Sequence, residues 1–261
     1  MRCSSADWCW RESGARAVSS AGASDVSYCI RHTARPSNAS MGKITKIALV
    51  GDSTVCDYPQ ASRLRGWGQM LPELFDSRVV IHNAARCGMS TRIYPGELWA
   101  SVLEARPDLV LIQFGHNDSH AQGNPESTDA ATDYRDNLRR FVREARDAGV
   151  QPVLVTPVRR RLFDADGRPT NELAPYADAM REVARKLSAP LVDLHASSGA
   201  LFSRLGESQT GDFTVNVSEN PDKPGRTDRT HFTAEGARAI ARLVGDALAA
   251  LFPPVLCQPN C

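Results

Sequence analysis

Five short apolar runs govern what this chain can fold into: "KIALVG" (46–51), "VVIHNAA" (79–85), "DLVLIQFG" (108–115), "PVLVTPV" (152–158) and "PLVDLH" (190–195). Each is rich in Val, Ile and Leu and nearly continuous, where a half-exposed strand would alternate apolar with polar residues. Strands buried on both faces of a parallel sheet read this way. Helical periodicity fills the intervals. Over 132–148, Tyr134, Leu138, Phe141, Val142 and Ala145 fall on one face, and Gly149 supplies a C-terminal stop. Residues 176–188 repeat the pattern. The segment 233–251 carries Ala237, Ile240, Ala241, Val244, Leu248 and Leu251 as an inner stripe, with Thr233 placed to cap it and Glu235 in its first turn. Strand alternating with helix predicts an α/β fold: a three-layer, doubly wound sandwich around a central parallel sheet of about five strands.

At 261 residues the chain fits one large domain of this kind, expected over 41–254. Residues 1–40 are rich in Ser and Arg and lack periodic apolar positions, so they read as a disordered leader, with Met41 as the natural start; 255–261 read as a tail. The leader has no apolar h-region and is a poor secretory signal, which favours the cytoplasm. Lys and Arg number 31 against 30 Asp and Glu, giving a net charge of +1, so neither nucleic acid nor an acidic membrane surface is indicated as a partner. No apolar run approaches the roughly 20 residues of a membrane helix. Of seven cysteines, only Cys56 and Cys87 lie inside the expected domain, and no C-x-x-C pair suggests zinc. Cys87 reads as a small buried apolar residue.

In doubly wound sheets ligands bind beyond the carboxyl ends of the strands. Those ends carry Gly51-Asp52-Ser53, then 83–88, then Gly115-His116-Asn117-Asp118, then Arg159-Arg160-Arg161. Ser53 alone reads more readily as a helix cap than as a nucleophile. A serine hydrolase also needs a base, a group orienting the base, and donors for an oxyanion. Asn117 offers a side-chain amide, and Gly88 a backbone N–H that no Cβ would shield. Downstream, "DRTHFTAEG" places Asp228 three residues before His231, just ahead of the last helix. In these roles His231 takes the proton from Ser53, Asp228 fixes the imidazole tautomer, and the N–H groups of Ser53 and Gly88 with the Asn117 amide hold the oxyanion.

"GDST", the Gly after the second strand, "GHND" and "DRTHF" resemble the four blocks of the SGNH (GDSL-type) hydrolases, over roughly residues 44–252. "NAARCGMSTR", "LIQFGHND", "TPVRRRLFD" and "DRTHFTAEGA" are similar to the rhamnogalacturonan acetylesterase-like branch. That resemblance implies a flavodoxin-like SGNH fold and deacetylation of plant cell-wall polysaccharide with neither metal nor cofactor. Mapped onto this chain, it implies Ser53 as nucleophile, Asp228 and His231 as its partners, and Ser53, Gly88 and Asn117 as oxyanion donors. One departure stands out: Gly88-Met89-Ser90 replaces the usual Gly-Arg-Ser.

His116, Asp118 and His120 raise a metal reading, but the stretch follows a strand and lacks a further ligand elsewhere. His116 reads first as a brace for the loop holding Asn117 and, with Arg159 and Arg160, is a candidate substrate contact. An arginine here suits the uronate carboxylate of an acidic sugar chain, or else pairs with Asp164 and Asp166 in its own loop. Residues 207–227 read as a polar excursion toward Asp228, with a short strand at "FTVNV". The expected activity is removal of O-acetyl groups from an acetylated oligo- or polysaccharide, most simply pectic rhamnogalacturonan. An acetylxylan-type or lipid esterase is the alternative within the class. A carbohydrate-binding pseudoenzyme is the alternative outside it, and intact Ser53, Asp228 and His231 argue against that reading.

Overall fold

The computed structural model describes residues 44–215 and 228–253; the expected leader, the tail and the last two residues of "FTVNV" lie outside them. Five parallel strands form one sheet: β1 (Lys46–Gly51), β2 (Val80–Asn83), β3 (Leu109–Gln113), β4 (Gln151–Val155) and β5 (Leu191–Val192), in the order β2-β1-β3-β4-β5. Among the described residues six α-helices accompany them: α1 (Trp67–Met70), α2 (Gly96–Glu104), α3 (Asp133–Asp147), α4 (Ala174–Leu187), α5 (Leu194–Gln209) and α6 (Ala234–Leu251).

The continuous apolar runs are explained by two cores, one on each face. Along β1, Ile47 and Leu49 point into a cluster with α1, α5 and α6, containing Trp67, Phe202, Ile240 and Val244. Their neighbours Ala48 and Val50 point into a second cluster with α2, α3 and α4, containing Trp99, Phe141 and Met180. β3 alternates likewise, with Leu109 and Leu111 on the first face and Val110 and Ile112 on the second. Each fully buried Leu, Ile or Val side chain contributes about 1.5–3 kcal/mol, so both faces hold the sheet, and neither is free for water.

Two boundaries differ from the sequence reading. The run 190–195 is not one strand: β5 has only Leu191 and Val192 before Asp193 accepts a hydrogen bond from the Ala196 N–H and starts α5. An Asx cap inside an apolar run therefore converts strand into helix within one residue. The polar excursion after 207 also begins as helix. Past α5, Gly211–Phe213 form a 3-10 turn and Thr214 bridges Phe232.

The chain leaves β1 for β2 on one side and later enters β3 on the other, so the topological switch point lies between β1 and β3. Their register pairs Gly51 with Gln113. The residues following both strands thus emerge side by side at one edge, where such sheets hold ligands. No helix among the described residues is long and apolar enough to cross a membrane.

Candidate active site

The turn after β1 is built to present Ser53. A Cβ on Gly51 would stand 2.6 Å from the Gln113 carbonyl oxygen and 2.7 Å from Val55 Cγ2, so only glycine lets the chain turn so close to β3. The Asp52 carboxylate accepts from the Thr54 N–H at 2.9 Å and the Thr54 hydroxyl at 2.7 Å. That hydroxyl in turn accepts from Gln113 Nε2 at 2.6 Å, and Gln113 Oε1 accepts from Trp67 Nε1 at 2.8 Å. This buried polar chain bolts the turn to the end of β3 and to α1, and every hydrogen bond in it gains from the low local dielectric. The Tyr58 hydroxyl donates to the Ser53 carbonyl at 2.8 Å.

His231 reaches Ser53 from the segment before α6. Arg65 donates its N–H to the Phe232 carbonyl at 2.8 Å, and Thr233 donates to the Phe213 carbonyl at 2.9 Å, clamping the two residues that follow His231. Asp228 accepts from the N–H groups of Thr230 (2.9 Å) and His231 (3.0 Å), which folds the segment into a tight loop. Its other oxygen lies 2.8 Å from His231 Nδ1, and His231 Nε2 lies 2.8 Å from Ser53 Oγ. Burial works against charge on both partners. For Asp228 the bonds from His231 and Thr230 outweigh it and hold the carboxyl down to about 2. For His231 burial is again outweighed, chiefly by the Asp228 carboxylate, and the imidazole titrates above its ordinary value.

The structure brings Gly88 and Asn117 to the same cavity, about 620 Å³ in volume, which Ser53 and His231 also line. Gly88 has φ +78°, and a Cβ there would meet nothing within 4 Å. Glycine is thus favoured by backbone conformation, where the sequence reading had invoked close approach. Asn117 donates to the Met89 carbonyl at 2.7 Å. The loops of Gly88 and Asn117 are further tied by Asp118, which accepts from the Thr91 N–H and hydroxyl and from the Thr128 hydroxyl. Burial lifts the Asp118 carboxyl to about 6 despite those bonds. His116, buried behind Ser53, places Nδ1 3.3 Å from Asp52 Oδ2.

His120 faces Glu126 at 2.7 Å, so His116, Asp118 and His120 serve three different partners, and among the described residues no cluster of three such side chains is arranged for a metal.

The arginines separate. Arg160 lines the cavity, with Nη2 3.3 Å from both the His116 carbonyl and the Ser119 hydroxyl, and Glu172 3.9 Å from Nη1. Arg159 is turned to the backbone carbonyls of His195 and Thr170, clamping the start of α5, and it does not line this cavity. Arg161 likewise donates to Thr210 and the Glu207 carbonyl. Neither Asp164 nor Asp166 takes up these arginines; Asp166 pairs with Arg168. Tyr58, Cys87 and Arg229 are among the lining residues that the sequence does not single out. Tyr58 follows the turn closely enough to have been suspected. Cys87 is exposed, contrary to its reading as a buried apolar residue, because the loop after β2 turns outward there.

A family model described as the GDSL-like Lipase/Acylhydrolase family matches residues 49–239. The chain belongs to that family, and it is a carboxylic ester hydrolase. It is 37% identical over 223 residues to "Rhamnogalacturonan acetylesterase RhgT" of Bacillus subtilis, covering 82% of this chain and 94% of that one. Identity to "Probable rhamnogalacturonan acetylesterase YesY" of the same organism is 32%, covering 80% and 94%. Among solved structures, protein YxiM of Bacillus subtilis superposes with a TM-score of 0.69 at 25% identity, over 80% of this chain and 57% of that one. Axe2, an acetylxylan esterase of Geobacillus stearothermophilus, shares the fold with a TM-score of 0.57 at 17% identity, over 80% and 94%.

Proposed function

We propose that this chain is a serine esterase that removes O-acetyl groups from pectic rhamnogalacturonan fragments through an acyl-enzyme. The observation that carries the reading is the double engagement of His231, 2.8 Å from Ser53 Oγ on one side and 2.8 Å from Asp228 on the other. With Nδ1–H donating to the carboxylate, Nε2 keeps its lone pair for the Ser53 proton. Oγ attacks the acetyl carbonyl, and the developing oxyanion is held by the N–H groups of Ser53 and Gly88 and the Asn117 amide. His231, now imidazolium and stabilised by Asp228, protonates the departing sugar hydroxyl. Water then enters and gives a proton to His231 as it attacks the acetyl carbon; the bond to Ser53 Oγ breaks, His231 returns the proton to Oγ, and acetate is released.

The substrate class rests on the two similar Bacillus subtilis proteins, named for rhamnogalacturonan. It rests also on Arg160 at the cavity, which suits the carboxylates of a galacturonate-containing chain better than a lipid acyl tail; Arg229, also in the lining, is paired with Glu207 at 2.8 Å. Acetate release from a panel of acetylated pectic, xylan and neutral lipid esters tests it. Rhamnogalacturonan fragments should give the highest kcat/KM, and preference for acetylxylan or for long acyl esters would overturn the assignment.

A further inference from the structure

The proposed mechanism leaves two thiols unused beside the nucleophile. Cys56 is buried in the turn that presents Ser53, with its N–H donating to the Asp52 carbonyl at 3.1 Å. Cys87 is exposed, lines the same cavity, and immediately precedes Gly88. Although 31 residues apart, their Sγ atoms lie 3.0 Å from one another. That is about 1 Å longer than a disulfide bond. We propose that Cys56 and Cys87 are a modification site for hydroperoxides, closing to a reversible disulfide that silences the adjacent ester-cleaving centre.

The environment divides the labour between the two sulfurs. Cys56, hydrogen-bonded to Cys87, holds the Cys87 thiol below its ordinary value against the opposing effect of burial, helped by Tyr58 and, when it is protonated, by His231. The Cys87 sulfur and burial push Cys56 the other way. An exposed thiolate with a neighbouring thiol in contact is the arrangement of a peroxide-sensing cysteine and its resolving partner. The Cys87 thiolate attacks one peroxide oxygen: an S–O bond forms, the O–O bond breaks, and the leaving hydroxide takes a proton to become water. Cys56 then attacks the sulfenic sulfur: the S–S bond forms, the S–O bond breaks, and hydroxide leaves with the Cys56 proton as a second water. The two sulfurs together lose two electrons, and the peroxide gains them.

Closure draws the sulfurs about 1 Å together. Cys56 is held by the buried turn, so the exposed Cys87 moves and carries Gly88 with it. Displacing an oxyanion donor by a fraction of this distance is enough to cost turnover heavily.

The reduced full-length chain is treated with one equivalent of hydrogen peroxide, alkylated, and digested with trypsin without reductant. Cleavage after Lys46, Arg63, Arg86 and Arg92 puts Cys56 in peptide 47–63 and Cys87 in peptide 87–92. The expected result is a species joining these two peptides that dithiothreitol abolishes. In Cys56→Ser, a dimedone adduct should accumulate on Cys87; in Cys87→Ser, Cys56 should stay fully alkylated. Acetate release should fall roughly tenfold or more as the link forms and recover with dithiothreitol. Peptide 87–92 left reduced while Cys3, Cys9, Cys29, Cys257 or Cys261 oxidises would overturn the site. A complete link with undiminished turnover would overturn the silencing. Only the turnover arm rests on the esterase reading, so untreated protein inactive on every ester would refute that reading and leave the mass result to judge the site.

Discussion

Asn117 donates its side-chain amide to the backbone carbonyl of Met89 at 2.7 Å, so the loop after β3 takes its orientation from the loop that carries Gly88. The bond needs only a main-chain oxygen at position 89. Replacement of the family's usual arginine by methionine therefore leaves this amide in place. Asn117→Ala should lower kcat by about 10²–10³, with KM changed little. A loss confined to KM would mean that the amide holds ground-state substrate.

Asp228 lies 2.8 Å from His231 Nδ1 and raises the titration point of the imidazole, and in the proposed mechanism it also fixes the tautomer. Asp228→Asn should lower kcat on the order of 10⁴-fold. In the wild type, the reactive form of His231 is neutral and its titration point is raised, so kcat/KM should climb with pH through a midpoint above the ordinary 6.5 and be lost as pH falls below it. In the Asn variant the residual activity should titrate lower, since the carboxylate that raised the imidazole is gone. An unmoved midpoint, measured by pH–rate profiles of both proteins, would detach Asp228 from this role.

Two glycines of the site should behave differently on substitution. Gly51→Ala forces a Cβ to within 2.6 Å of a backbone oxygen and should destabilise the fold by several kcal/mol, seen as a large fall in Tm or in soluble yield. Gly88→Ala meets no atom but must adopt φ +78°, at about 1–2 kcal/mol. It should fold, with a modest loss in Tm and at least a tenfold loss in kcat as the N–H rotates away. Equal thermal losses in the two variants would contradict the distinction.

Arg160 sits at the cavity with a Glu172 partner 3.9 Å away, so its charge is available to an acidic sugar. Arg160→Gln should raise KM for galacturonate-containing fragments roughly tenfold and affect p-nitrophenyl acetate much less. Equal effects on both substrates, in steady-state kinetics, would assign it to the scaffold instead.

The sheet was legible because burial on two faces leaves an unbroken apolar run, and β1, β3 and β4 announce themselves that way. α3 and α6 were equally plain, each showing a full apolar stripe. α5 was less plain: its inner face mixes His195, Ser198 and Gly199 with Leu194 and Phe202, and the polar and small residues blur the hydrophobic period. Ser53 was singled out as the hydroxyl residue in the turn after β1, and Asp228 and His231 by their Asp-x-x-His spacing, together with the resemblance of their motifs. The fate of the arginines and cysteines depended on long-range contacts instead. Arg159 turns inward to the carbonyls of Thr170, Pro169 and His195, which lie far from it in sequence, and Cys56 meets Cys87 only because β1 and β2 are neighbours.

Labelling with a fluorophosphonate, read by tryptic mass spectrometry, tests the central claim most directly. Ser53 should carry one adduct on peptide 47–63, at a rate that falls with pH as His231 protonates, and acetate release should vanish as the adduct forms. Undiminished turnover after complete modification of Ser53, or an adduct on another residue that abolishes turnover, would contradict the account.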